Sequence, residues 1–151
     1  MSNDTTDRAA HLLNLMKRGD DAFNARDFAA MDAVHHEDMV AHIAGDPAPT
    51  RGLEAHRAKM ATMFEMFPDV RVHNDPYPVQ YSDGDWTTVV TRVTGTFSGS
   101  LTLPDGTVIP GTGRPFDLAF GTTARWENDL LVEESVFWDT EEQARQIGLA
   151  G

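Results

Sequence analysis

Asp139 is the residue of this sequence best placed to move a proton. It closes a run of branched and aromatic residues, Leu130-Leu131-Val132-Glu133-Glu134-Ser135-Val136-Phe137-Trp138, that reads as a strand. It also heads Thr140-Glu141-Glu142-Gln143-Ala144-Arg145-Gln146, which reads as a short helix. Taking a proton from carbon beside a carbonyl needs a base, and a carboxylate serves when a dry pocket raises its pKa. Asp139 has a structural alternative: an aspartate before a helix, with Glu142 three residues on, is an N-cap. Thr140 with Gln143 forms a competing capping box that would leave Asp139 free.

Other side chains could assist. His42, on a strand spanning Met39 to Ile43, could donate a hydrogen bond that polarises a carbonyl and stabilises an enolate; the alternative is a half-exposed strand histidine. Arg92, in Trp86-Thr87-Thr88-Val89-Val90-Thr91-Arg92-Val93-Thr94, could hold a substrate oxyanion, or pair with Glu133 or Asp139 as structural wiring. Phe97, Phe116, Phe120, Phe137 and Trp138 could stack on a flat substrate, although strand aromatics serve the core first. His56 and Met60 share the apolar stripe of one helix, where they line either core or pocket. The cluster His35-His36-Glu37-Asp38 has metal-ligating residue types, but it lacks the helical spacing of a zinc motif and is expected in a loop, so no metal site is expected. With no cysteine and no serine in a strand-to-helix elbow, nucleophilic catalysis finds no support.

The elements that must position these residues follow from periodicity. Ala9, Leu12, Leu13, Met16 and Phe23 recur at helical spacing after a polar start, so residues 1–8 are expected as a loosely held tail. Lys17, Arg18, Asp20 and Asp21 are expected on the opposite, solvated side of that helix. Asp27 can cap a second short helix striped by Phe28, Met31 and Val34. A third helix carries Leu53, His56, Met60, Met63, Phe64 and Phe67, and Pro68-Asp69 ends it. The period then becomes extended: Val70 to His73, Pro78 to Tyr81, Trp86 to Phe97 and Phe116 to Trp126, with Asp83-Gly84 and Asn128-Asp129 as hairpin turns and a projecting hairpin around Pro104-Asp105-Gly106. In the last strand Leu131 and Phe137 share one parity and Val132, Val136 and Trp138 the other, which predicts burial on both faces, with a partner subunit covering one. Helices first and strands after predict a single α+β domain over residues 1–151, a curved antiparallel sheet wrapped around three helices as a cone or barrel with an internal pocket.

Composition narrows the function. Twelve basic against 24 acidic residues give a formal charge of -12, which repels phosphate backbones and anionic membranes. Neither nucleic acid nor membrane is an expected partner. The polar residues after Met1 show no signal peptide or span, and the absence of cysteine fits a reducing compartment, so a cytoplasmic location is expected.

Five features in order resemble the SnoaL-like polyketide cyclase (ester cyclase) family of the nuclear-transport-factor-two-like superfamily. They are Phe67-Pro68-Asp69, Arg92 ahead of Gly95-Thr96-Phe97-Ser98-Gly99, Thr112-Gly113-Arg114, Glu133, and Asp139 followed by Gln146-Ile147-Gly148. The resemblance implies an α+β cone, dimeric or larger, with no metal and no organic cofactor. It also implies an aspartate at position 139 acting as general acid/base in an intramolecular aldol closure. Phe97 departs from the family, which often has histidine there, and Ser135 stands where an aromatic is common. The expected activity is aldol ring closure or a related isomerisation of a small apolar carbonyl compound by a homodimer, with Asp139 as acid/base and His42 or Arg92 polarising the carbonyl. A non-catalytic binding module and a hydrolase in the same pocket are the alternatives.

Overall fold

A computed structural model describes residues 2–150. Its first helix, α1 (Ser2–Ala25), already includes the polar start, and Arg8 anchors that turn by donating to the Gly84 carbonyl at 3.3 Å and pairing with Asp85. Residues 2–8 of the expected loose tail are therefore the first turns of α1, and Met1 lies outside the described residues. Asp27 caps α2 (Phe28–Ala33) as expected, its carboxylate accepting from the Ala30 N–H at 3.0 Å. Next come β1 (His35–Ile43), β2 (Thr50–Arg51) and α3 (Leu53–Met66), then β3 (Arg71–His73), β4 (Val79–Asp83), β5 (Trp86–Thr96), β6 (Ser100–Thr102), β7 (Val108–Pro110), β8 (Pro115–Glu127), β9 (Leu130–Phe137) and α4 (Thr140–Gln146). The β1 boundary corrects one expectation: His35 to Asp38 belong to the strand, not to a loop.

Seven strands form one sheet in the order β2-β1-β9-β8-β5-β3, with β4 also paired to β5. Most pairings are antiparallel, but β1 and β9 run parallel, which the helix between β1 and the later meander permits. Among the described residues no sheet closes into a barrel; the sheet is open, and α1, α2 and α3 cover its inner face. No described helix is long and apolar enough to cross a membrane.

Both predicted turns are present. Asp83 pairs with Trp86 around Gly84 at φ 58°, and Asn128 and Asp129 adopt φ 50° and 63°, the two left-handed residues that a type I′ hairpin requires. Inward positions on β5 and β8 alternate cleanly: Thr87, Val89, Thr91 and Val93 on one, Phe116, Phe120, Ala124 and Trp126 on the other. On β9 the alternation breaks. Arg125 faces Glu133 but Trp126 faces Leu131, so β9 carries one extra residue at Val132. Leu131 points inward before this bulge, and Glu134, Val136 and Trp138 point inward after it. Apolar residues of both parities thus face the core, while Phe137 turns outward, 59% exposed. The bulge thus accounts for the apolar residues of both parities within one chain.

The projecting β6–β7 hairpin docks on the end of α3 through two glycines. Gly99 N–H donates to the Met66 carbonyl, Gly111 N–H donates to the Gly99 carbonyl, and a Cβ on Gly99 would lie 1.7 Å from the Glu65 carbonyl oxygen. Gly99→Ala is expected to lower unfolding free energy by about 3 kcal/mol, the upper end of ordinary overpacking, in urea melts. Unchanged stability would show that α3 does not approach this hairpin so closely.

Candidate functional site

Helices α1, α2 and α3 and the inner face of the sheet enclose a cavity of about 130 Å³. That is close to the ~150 Å³ that accepts a benzene-sized molecule. Its wall is mainly apolar, with Leu15, Met31, Met60, Met63, Val93 and Val136 among the lining residues. Phe120 and Trp138 form one side as a parallel stack, ring centroids 4.5 Å apart, and the Trp138 Nε1–H is held by Gln143 at 2.9 Å. Few polar side chains interrupt this lining: Asp20, His35, His56, Thr91, Thr122 and Glu134.

Asp20 reaches the cavity from α1 because it follows Met16 by four residues and precedes Phe23 by three, the spacing of one helix face. Its Oδ2 accepts from the Tyr77 hydroxyl at 2.5 Å, and Tyr77 is itself buried. Burial raises the Asp20 pKa to about 7; the Tyr77 bond opposes this, and the negative charges of Glu134 and Asp21 add to it. This carboxyl is half-protonated near neutral pH.

Glu134, from β9, lies opposite in character. Burial alone would raise its pKa, but the His56 hydrogen bond and the His35 and His56 charges outweigh burial and hold the carboxyl below its ordinary value. The His56 Nε2 lies 3.6 Å from Glu134 Oε1, both side chains nearly inaccessible. Burial lowers the pKa of His35, against the Glu134 charge and the Met31 carbonyl, so the ring is neutral at pH 7. Its Nδ1 sits 2.7 Å from the Met31 carbonyl, which can only accept, so Nδ1 carries the proton and Nε2 the lone pair. The His35 and His56 rings lie 4.6 Å apart. One pocket therefore holds two carboxyls whose environments push their pKa values apart, the arrangement by which one site supplies both an acid and a base.

The sequence-predicted residues divide. His56, Met60, Phe120 and Trp138 line the cavity. Phe97 and Phe116 are buried behind the wall, packed on Phe67 at centroid distances of 5.8 and 4.9 Å. Phe137 is on the outer face and does not reach the cavity. His42 is not on the pocket wall: even-numbered residues of this part of β1 point outward, and its Nε2 meets Glu133 Oε2 at 3.2 Å on the exposed side. Arg92 also faces out, and its partner is neither Glu133 nor Asp139 but Asp117 on β8, through bonds of 2.8 and 2.6 Å. Asp139 is exposed and caps α4, accepting from the Glu142 N–H at 2.9 Å. The cavity lining ends one residue earlier, at Trp138.

Asp20, His35, Tyr77 and Glu134 were not among the expected site residues. The i+4, i−3 spacing of Asp20 from Met16 and Phe23 was the available signal.

A family model described as SnoaL-like polyketide cyclase matches residues 14–147. Among curated proteins no sequence matches significantly. Solved structures similar to this chain include a proposed SnoaL-like polyketide cyclase from Jannaschia sp. CCS1, 20% identical, with TM-score 0.81 and 95% of each chain covered. IdmH, a proposed polyketide cyclase from Streptomyces antibioticus, is 23% identical with TM-score 0.74, covering 91% of this chain and 98% of its own. AclR, a proposed hydroxylase from Streptomyces galilaeus, is 18% identical with TM-score 0.72, covering 92% of this chain and 82% of its own. At such identities the likeness concerns the fold, and the described activities differ across it.

Proposed function

Since the chain belongs to the SnoaL-like polyketide cyclase family, we propose that it is an acid/base enzyme acting on a small, mainly apolar carbonyl compound, by intramolecular aldol closure or a related isomerisation. The observation that carries this reading is the split between Asp20, raised to about 7, and Glu134, held ionised, in one apolar cavity. Asp20 takes the proton from carbon beside the substrate carbonyl, and the enolate either adds to a second carbonyl of the same molecule or is reprotonated at another carbon. The same carboxyl then returns its proton to the alkoxide or carbon, so no co-reactant is consumed. A cavity of about 130 Å³ favours substrates of about one ring over a fused polycycle. The exposed Val79, Tyr81, Trp86 and Phe137 on the outer face of the sheet support a homodimer, which sedimentation would register as twice the 16.7 kDa chain mass.

The test is solvent exchange. Single-ring ketones and 1,3-dicarbonyl compounds incubated with the protein in D2O are expected to gain deuterium beside the carbonyl faster than in buffer. Ligands that bind and return without label would sink the reading in favour of a binding module, and oxygen-18 uptake from labelled water would favour a hydrolase.

Asp139 has a different expected part, as the cap of α4 behind Trp138. Asp139→Ala should cost about 1 kcal/mol of stability, and Asp139→Asn, an equally good cap, almost none. Exchange rates within a few-fold of wild type in Asp139→Asn fit this assignment; loss of exchange with unchanged stability would return the acid/base role to Asp139.

A further inference from the structure

We propose that His35, His56 and Glu134 bind one divalent transition-metal ion, with an open coordination position facing the cavity. This goes beyond the acid/base reading and does not depend on it. The three residues come from β1, α3 and β9, and their potential ligating atoms all lie within 4.8 Å of one another. Tetrahedral coordination at bond lengths of about 2.1 Å sets ligand atoms roughly 3.4 Å apart, so the widest separation must close by about 1.4 Å. The His56–Glu134 pair, at 3.6 Å, is nearly there already.

Second, the histidine tautomer is correct. The Met31 carbonyl takes the Nδ1 proton of His35 and leaves Nε2 as a donor lone pair, which is how outer partners orient metal-binding imidazoles. Third, the Glu134 carboxyl is nearly inaccessible, 11% exposed, in a mainly apolar lining, so a cation entering here meets a partner that water screens little. Two imidazoles and one carboxylate suit zinc, cobalt or ferrous iron, whereas magnesium and calcium prefer oxygen ligands throughout. The remaining members of the sequence cluster, His36, Glu37 and Asp38, do not line the cavity; His36 Nδ1 accepts from the Asp38 N–H instead. An ion here would have its open position available to polarise a carbonyl oxygen in the same cavity.

The test uses untagged, metal-stripped, full-length protein titrated with Zn2+. Calorimetry is expected to give one equivalent bound. Imidazole 15N spectra are expected to shift at His35 and His56 and to stay unchanged at the other four of the six histidines, His11, His36, His42 and His73. His56→Ala and Glu134→Gln should weaken binding at least ~10-fold, and His36→Ala should leave it unchanged. Failure of the folded wild-type protein to bind an equivalent, or shifts confined to His36 and other surface histidines, would overturn the proposal. Should a substitution unfold the chain, the wild-type imidazole spectra decide alone. A protein that exchanges deuterium without metal would leave the acid/base reading intact while the titration rules on the ion.

Discussion

Replacing Asp20 by asparagine is expected to slow proton exchange on a bound ketone about 10²–10⁴-fold, the usual contribution of a positioned acid or base, while ligand affinity stays within a few-fold. The substitution keeps the shape of the side chain, and its carbonyl oxygen can still accept from Tyr77. The pH profile should follow. In the wild-type protein kcat/KM should bend near pH 7, where Asp20 changes protonation, and that bend should be absent from the residual activity of Asp20→Asn. Stability supplies an independent readout with a definite sign. A carboxyl raised from 3.8 to about 7 on folding binds more protons folded than unfolded between those values. Wild-type stability therefore falls as pH rises from about 4 to about 7 and is level above. The penalty at pH 8 is on the order of 4 kcal/mol, at 1.36 kcal/mol per unit. Asp20→Asn lacks it, so the variant should be more stable than wild type at pH 8 and equal to it near pH 4. A variant that is active, or that is less stable than wild type at pH 8, would remove Asp20 from the mechanism. A catalytic carboxyl that destabilises its own fold is the expected signature of a working site.

Removing Glu134 should have the opposite effect. Glu134→Ala leaves the buried His56 ring without the carboxylate that lies 3.6 Å from its Nε2, and an unsatisfied buried polar group costs about 1–3 kcal/mol at neutral pH. Because this carboxyl is depressed on folding, its contribution is present above the ordinary glutamate pKa of 4.5 and disappears as pH falls below it. Urea unfolding of wild type and variant should thus differ most at pH 7 and draw together as pH falls below the ordinary glutamate range. Equal stabilities at pH 7 would mean that the trio contributes no net electrostatic stabilisation.

Much of the scaffold was legible because local chemistry and tertiary structure agree. Asp27 and Asp139 cap helices, Asp83-Gly84 and Asn128-Asp129 turn hairpins, and the 3.6-residue stripes of α1 and α3 do face the sheet. Four of the ten expected site residues line the cavity, and the placement of the others elsewhere has physical causes. His42 and Arg92 have the right residue types on the right strands, but strand pleating turns them outward, and their partners Glu133 and Asp117 come from neighbouring strands. Asp20 was assigned to the solvated side of α1 because its charge outweighed its spacing. His35 was expected in a loop because four polar residues in a row mask a strand whose pairing with β9 is irregular between His35 and Val40. Glu134 was hidden by a chain irregularity that no residue type advertises.

The extra residue at Val132 also sets which changes could alter this protein's chemistry. Downstream of it, Glu134, Val136 and Trp138 face the cavity while Glu133, Ser135 and Phe137 face away. Were Val132 to take a regular place in the alternation instead, the two sets would exchange, presenting Glu133, Ser135 and Phe137 to the ligand without altering any of their identities. Substitutions can adjust this pocket one group at a time, but an insertion or deletion in β9 beyond the bulge turns every later side chain of the strand to the other face at once. Lineages that share this fold and diverge in reaction have a short genetic route available to them: a change of count in one strand.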